Sequence, residues 1–82
     1  MDNNQRKQFL KDVGIALFGE RWQTDLSREL KLSDPRRLRQ WLNDERQIPP
    51  GIIMDLVGLM EARQELIKEH LTQLKAALKQ KA

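Results

Sequence analysis

The sequence contains no cysteine, which excludes a disulfide framework, a thiolate zinc site and a cysteine nucleophile. One histidine, His70, is too few for a histidine-based metal cluster. Tyrosine is absent and the aromatics are two tryptophans and two phenylalanines, so any core must be mostly aliphatic. No apolar run is long enough for a signal peptide or a membrane span. The most apolar stretch, Ile52 to Met60, is short and holds Asp55. The expectation is a chain that stays in the cytoplasm with no membrane partner. Neither sign of charge dominates, with 15 Lys and Arg against 12 Asp and Glu for a net charge of +3, so where the excess sits matters more than its size. In 82 residues there is room for one domain with one small core, which excludes a multidomain enzyme. No nucleophile–base pair, glycine-rich phosphate loop or metal set can be assembled from these residues. No catalytic residue, metal, cofactor or small-molecule ligand is therefore expected.

What is present is helical periodicity. Phe9, Leu10, Val13, Ala16 and Leu17 fall on one helical face, and Gly19 is a suitable stop. Trp22, Leu26 and Leu30 follow at four-residue spacing and predict a short second helix from about Arg21 to Leu30. Asp34-Pro35 is a helix start, with Asp as cap and Pro at the first position, where its missing N–H has no partner anyway. A third helix over 35–43 follows, with Leu38, Trp41 and Leu42 on its apolar side. Asn43 to Gly51 is rich in breakers, and from Ile52 to about Lys79 apolar residues recur in one long helix or two nearly collinear ones. Period-two alternation is missing throughout. The fold class is all-α.

Two short helices joined by a brief turn, the second of them cationic, form the pattern of a helix-turn-helix DNA-binding motif. Opposite Leu38 and Trp41, the third helix carries Arg36, Gln40 and Asn43, flanked by Arg37 and Arg39, and no acidic residue interrupts 35–43. Arg, Gln and Asn are the side chains that make paired hydrogen bonds to guanine and adenine edges in the major groove. The plainer reading of such a face is a solvated surface. Three arginines within four positions, with amides beside them instead of Glu or Lys, favour base reading. Gln23 and Thr24, at the start of the second helix, are placed to hold a phosphate, and Ser33 and Arg46 to do the same from the turn and the following loop. Trp22 and Trp41 lie on apolar sides and belong to the core.

The stretch Gln23-Thr-Asp-Leu-Ser-Arg-Glu-Leu-Lys-Leu-Ser33, followed by Leu38 and Trp41, resembles the helix-turn-helix of lambda-repressor/Cro-like regulators. Gln23 and Ser27 match the family's Gln and small residue, Ser33 its turn serine, and Leu38 and Trp41 the core of its recognition helix. The continuation Trp-Leu-Asn-Asp-Glu-Arg-Gln-Ile-Pro-Pro-Gly is similar to the loop that comes next in small phage and mobile-element repressors, anti-CRISPR-associated proteins among them. The resemblance covers roughly Trp22 to Gly51 and implies that Gln23 sits near a phosphate. Lys31 stands where the family has Gly, so it takes an unusual backbone conformation or the turn has a different shape. One extra residue between Ser33 and Leu38 implies a later start for the recognition helix.

Ile53, Val57, Met60, Gln64, Ile67, Leu71, Leu74 and Leu78 recur at alternating spacings of four and three, the seam of a coiled coil broken only by Gln64. A helix of roughly 28 residues is about 42 Å long, longer than so small a domain is wide. Its far end, at Ile67, Leu71, Leu74 and Leu78, needs a partner, and a second copy is the economical one. His70 borders this seam as an exposed residue. The expectation is a helix-turn-helix DNA-binding domain of four to five helices over 1–60, continuous with a helical dimerisation extension over 61–82. As a functional unit this is a homodimeric, sequence-specific repressor on double-stranded DNA with an inverted-repeat operator. An antitoxin-type autoregulator and a helical protein-interaction module without DNA binding are the alternatives. In the latter, Asp34, Asp44 and Glu45 would neutralise the arginines of the third helix.

Overall fold

Asp2 and Gln5 close the first turn of the first helix on each other. The Asp2 carboxylate accepts the Gln5 backbone N–H at 2.9 Å, and the Gln5 side-chain oxygen accepts the Asp2 N–H at 3.0 Å. This reciprocal cap satisfies donors that a helix start otherwise leaves open. From it α1 runs over Asn3–Phe18 in the computed structural model, which describes residues 1–80. The helix closes at Gly19, whose φ of 77° suits glycine. A 3-10 turn, Gly19–Arg21, leads into α2 (Trp22–Glu29), then α3 (Arg36–Leu42) and α4 (Gly51–Lys79). Regular structure among the described residues is entirely helical. The expected domain of four to five helices is not found. Three helices precede the long one, because residues 43–50 form a loop and Gly51–Lys79 is one continuous helix.

Both short helices end in the same way. After α2, the Lys31 N–H reaches the Arg28 carbonyl and the Leu32 N–H reaches the Ser27 carbonyl, each at 3.0 Å, with Lys31 at φ 60°. After α3, the Asp44 N–H reaches the Trp41 carbonyl at 3.3 Å and the Glu45 N–H reaches the Gln40 carbonyl at 2.9 Å, with Asp44 at φ 62°. These are Schellman caps, which return the last carbonyls of a helix to hydrogen bonds by turning one residue left-handed. The turn between α2 and α3 thus keeps the left-handed residue, with lysine in the place that suits glycine.

Every element contributes to one core: Leu10 from α1, Trp22 and Leu26 from α2, Leu38 and Trp41 from α3, Ile48 from the loop, and Ile52 and Leu56 from α4. The apolar face of α1 is turned from its expected setting. Leu10 and Gly14 are buried, while Phe9 is 47% exposed and Ala16 is exposed. The cause is Trp22, whose indole packs on Gly14 so closely that a β-carbon there would overlap Cε3 and stand 2.7 Å from Cδ2. Burial of this ring draws the line through residues 10 and 14 inward and leaves the line through 9 and 16 outside.

The loop over 43–50 is pinned by α1. Asn3 Oδ1 accepts the Ile48 N–H at 2.8 Å, Arg6 donates to the Ile48 carbonyl at 3.2 Å, and Lys7 pairs with Asp44 at 2.8 Å. Both backbone groups of a buried residue are thereby satisfied. On the other side, α4 packs through Ile52, Leu56 and Leu59 as far as Arg63, whose guanidinium lies 5.6 Å from the centre of the Phe18 ring. From Gln64 to Gln80 every residue is exposed. The protruding helix makes the chain 59 Å long and 24 × 18 Å across, with a radius of gyration of 16.2 Å, against about 12 Å for a compact domain of this length. Among the described residues no helix is long and apolar enough to cross a membrane.

Candidate nucleic-acid interface

Helix α3 is presented by its inner side. Leu38 and Trp41 are fixed in the core cluster that also holds Leu26 and Leu10, and that anchoring turns the remaining positions outward. Arg36, Arg37, Arg39 and Asn43 are exposed, and Gln40 is half-buried. Gln40 thus lies at the rim of the outer stripe, and its carbonyl accepts the N–H groups of Glu45 and Arg46 in the cap of the helix. Arg46 and Ser33 are exposed at the two ends of α3, one in the following loop and one in the preceding turn.

Of the three acidic residues beside α3, Asp34 and Asp44 have partners other than an arginine side chain, and Glu45 is exposed next to Arg46 with no partner for its carboxylate among the described residues. Asp34 accepts the backbone N–H of Arg36 at 2.7 Å, so it caps the helix as its sequence position predicts. Asp44 is paired with Lys7. The ion pairs among the described residues are Lys7–Asp44 and Arg28–Asp25. Accordingly Arg36, Arg37, Arg39 and Arg46 all present guanidinium groups without a carboxylate partner. Four free guanidinium groups along one short helix and its loop make a positive ridge. Each carries a planar fork of donors that matches a phosphate or a guanine edge.

Gln23 and Thr24 lie in the first turn of α2, the former half-buried and the latter exposed, and no side chain caps this end of the helix. Next to Gln23 a cleft runs along α1, lined by Asn4, Lys7, Gln8 and Lys11, with Trp22 and Leu42 as its floor. Lys7, Gln8 and Lys11 had no place in the site as read from the sequence. The available signal is their spacing, which puts two lysines four residues apart on one face of α1. That this face borders α2 is a consequence of the packing of Trp22 on Gly14 and is not visible in α1 itself. Ser27 is 2% exposed and its hydroxyl makes no hydrogen bond, so small size is what this position supplies.

The seam positions Ile67, Leu71, Leu74 and Leu78 are all exposed along the protruding part of α4. Ile67, one turn past Arg63, still borders a groove with Ala16 and Leu17 of α1, whereas Leu71, Leu74 and Leu78 lie beyond the body. Among the described residues there is no cluster of three or more His, Cys, Asp or Glu side chains. Comparison of the chain with models of protein families, with characterised proteins and with solved structures gives no match.

Proposed function

We propose that this chain is a sequence-specific DNA-binding transcriptional regulator of the lambda-repressor/Cro-like kind, a dimeric repressor that occupies an inverted-repeat operator in the cytoplasm. The observation that carries this reading is the state of the arginines on and after α3. All four are exposed and none is in an ion pair among the described residues, while Asp34 caps the helix, Asp44 is held by Lys7 and Glu45 alone of the three neighbouring acids is left open, beside Arg46. Three exposed arginines within four positions of a helix that holds no acidic residue concentrate positive charge on one short element, which is what a polyanion-binding surface requires.

In this mechanism α3 enters the major groove. Arg36 and Asn43 read base edges, Gln40 contributes from the rim, and Arg37, Arg39 and Arg46 hold the flanking phosphates. Gln23, Thr24 and Ser33 fix the register on the backbone. Repression results from occupancy and involves no catalytic group. A protein-interaction module without DNA binding relies on the bare stripe of α4 alone and leaves the four guanidinium groups without a role. An antitoxin-type autoregulator would use the same surfaces and would add a second protein on α4.

Selection of bound sites from random duplex DNA tests the reading. Recovery of a palindromic consensus supports a dimeric regulator, and a single unpaired half-site would sink the dimeric form. Failure to enrich any sequence, with no salt-dependent retention of DNA, would leave the interaction module.

A further inference from the structure

The seam of α4, broken only by Gln64, runs from the body into the protruding end, and its eight positions are self-complementary when the helix is reversed. With a twofold axis between residues 65 and 66, Ile53 meets Leu78 of the partner subunit, Val57 meets Leu74 of the partner subunit, Met60 meets Leu71 of the partner subunit, and Gln64 meets Ile67 of the partner subunit. We infer that two copies of this chain pair through antiparallel α4 helices, the leucine end of each lying in a groove between α1 and α4 of the other. The inference rests on the homodimer proposed above and specifies its geometry.

Three observations support this occupant and this orientation. The groove exists in the single chain, with Phe9 and Val13 on the α1 wall and Ile53, Val57 and Met60 on the α4 wall. Phe9, Val57 and Met60 are 40–51% exposed there. The free end of α4 carries Leu71, Leu74 and Leu78, which are 47–74% exposed. Paired with itself in parallel, that end would be a coil of about two heptads, which is marginal in water. Laid antiparallel, it covers both the groove and itself.

The flanking charges choose between the two orientations. An antiparallel pair brings Glu61 beside Lys68 of the partner subunit, and symmetry repeats the contact. A parallel pair sets Arg63 beside Lys68 of the partner subunit, cation against cation, and brings no acid beside a base, whereas the antiparallel pair sets Arg63 beside His70 of the partner subunit. Opposite charges at such flanking positions set partner orientation in paired helices.

The body of each chain packs on the flank of α4 that carries Ile52, Leu56, Leu59 and Arg63. In an antiparallel pair these equivalent flanks face the same side. Both bodies then stand on one face of the two-helix ribbon, with their attachments at Leu56 about 29 Å apart along its axis. Two recognition helices on successive turns of one face of DNA need a separation of roughly 34 Å.

Since the chain has no cysteine, disulfide formation between engineered positions reports the pairing directly. Val57 and Leu74 are 51% and 64% exposed in the single chain, so neither is needed for its fold. The variants Val57→Cys and Leu74→Cys are oxidised separately and as an equimolar mixture, without DNA. The expected result is a covalent heterodimer in the mixture and no covalent dimer from either variant alone, since like positions lie about 25 Å apart in the antiparallel pair. Covalent homodimers of both single variants would establish a parallel pair and overturn the inference. A mixture that stays monomeric under oxidation would overturn it as well. Neither result bears on α3, whose DNA binding is read independently by site selection.

Discussion

The Asp34 carboxylate holds the backbone N–H of Arg36 at 2.7 Å and leaves the Arg36 guanidinium to solvent. One acid thus starts the helix without cancelling the charge that the helix displays. Replacing Arg36 or Asn43 by Ala is expected to weaken binding to the selected site by about 1–3 kcal/mol each, with a smaller loss on random DNA. Gln40→Ala should lie at the low end, given its half-buried position. Arg37→Ala and Arg39→Ala are expected to weaken both kinds of DNA alike and to lower the salt slope by about one. Fluorescence anisotropy at several salt concentrations separates the two patterns, and equal losses on specific and random DNA for Arg36 would reassign it to the phosphate backbone.

The core beneath α3 is tested at Trp41 and at Gly14. Trp41 is 3% exposed, and Trp41→Ala should destabilise the domain by about 3–5 kcal/mol and abolish DNA binding through unfolding. A folded but inactive Trp41→Ala protein, identified by circular dichroism, would point to a direct DNA contact instead. Gly14→Ala forces a methyl group into the buried Trp22 ring and should cost about 1–3 kcal/mol, even though alanine is the better helix former. Denaturant melts check the sign, because a stabilised variant would mean that the ring does not rest on Gly14.

Much of this architecture was legible in the sequence. Apolar spacing marked the bounds of α2, α3 and α4 to within a residue or two, Gly19 marked the stop of α1, and Asp34 marked the start of α3, whereas the polar first turns of α1, from Asn3 to Gln8, lie outside the apolar set that begins at Phe9. Lys31 was legible as a departure from a glycine, and its φ of 60° shows which of two open conformations the turn takes. The burial of Ile48 was not legible. It sits among breakers, and its place depends on Asn3 and Arg6, more than forty residues away. The exposure of Phe9 was equally hidden, since periodicity identifies a face but not which edge of it a tryptophan from another helix will claim. For the site, the helix carrying the arginines could be read, but the sequestration of Asp44 by Lys7 could not, because that pair closes across two elements.

Lys31 offers a test of the turn itself. A residue with a β-carbon in the left-handed region costs roughly 1–2 kcal/mol, and glycine recovers this less about 0.5–1 kcal/mol of added freedom in the unfolded chain. Lys31→Gly is therefore expected to stabilise the domain by about 0.5–1 kcal/mol, raising Tm by a few degrees. Thermal melts of the two proteins decide it, and a lower Tm for the glycine variant would place Lys31 outside the left-handed region in solution.

The protruding half of α4 connects assembly to DNA affinity. Leu71 is exposed in the single chain and lies beyond the last residue that packs on the body, so Leu71→Glu leaves the core intact. Buried in a seam, the same carboxylate would be desolvated without a partner, which costs several kcal/mol and disfavours pairing. The expected product is a folded monomer with an unchanged far-ultraviolet spectrum per residue. Two half-sites bound through one dimer gain affinity from the second contact being intramolecular. Loss of pairing should thus lower operator affinity far more than loss of any single phosphate contact, while affinity for an isolated half-site changes little. Sedimentation should show a wild-type dimer at micromolar concentration and a monomeric variant. A wild type that stays monomeric and binds one half-site as tightly as the full palindrome would break the connection, and the stripe of α4 would then belong to a different protein.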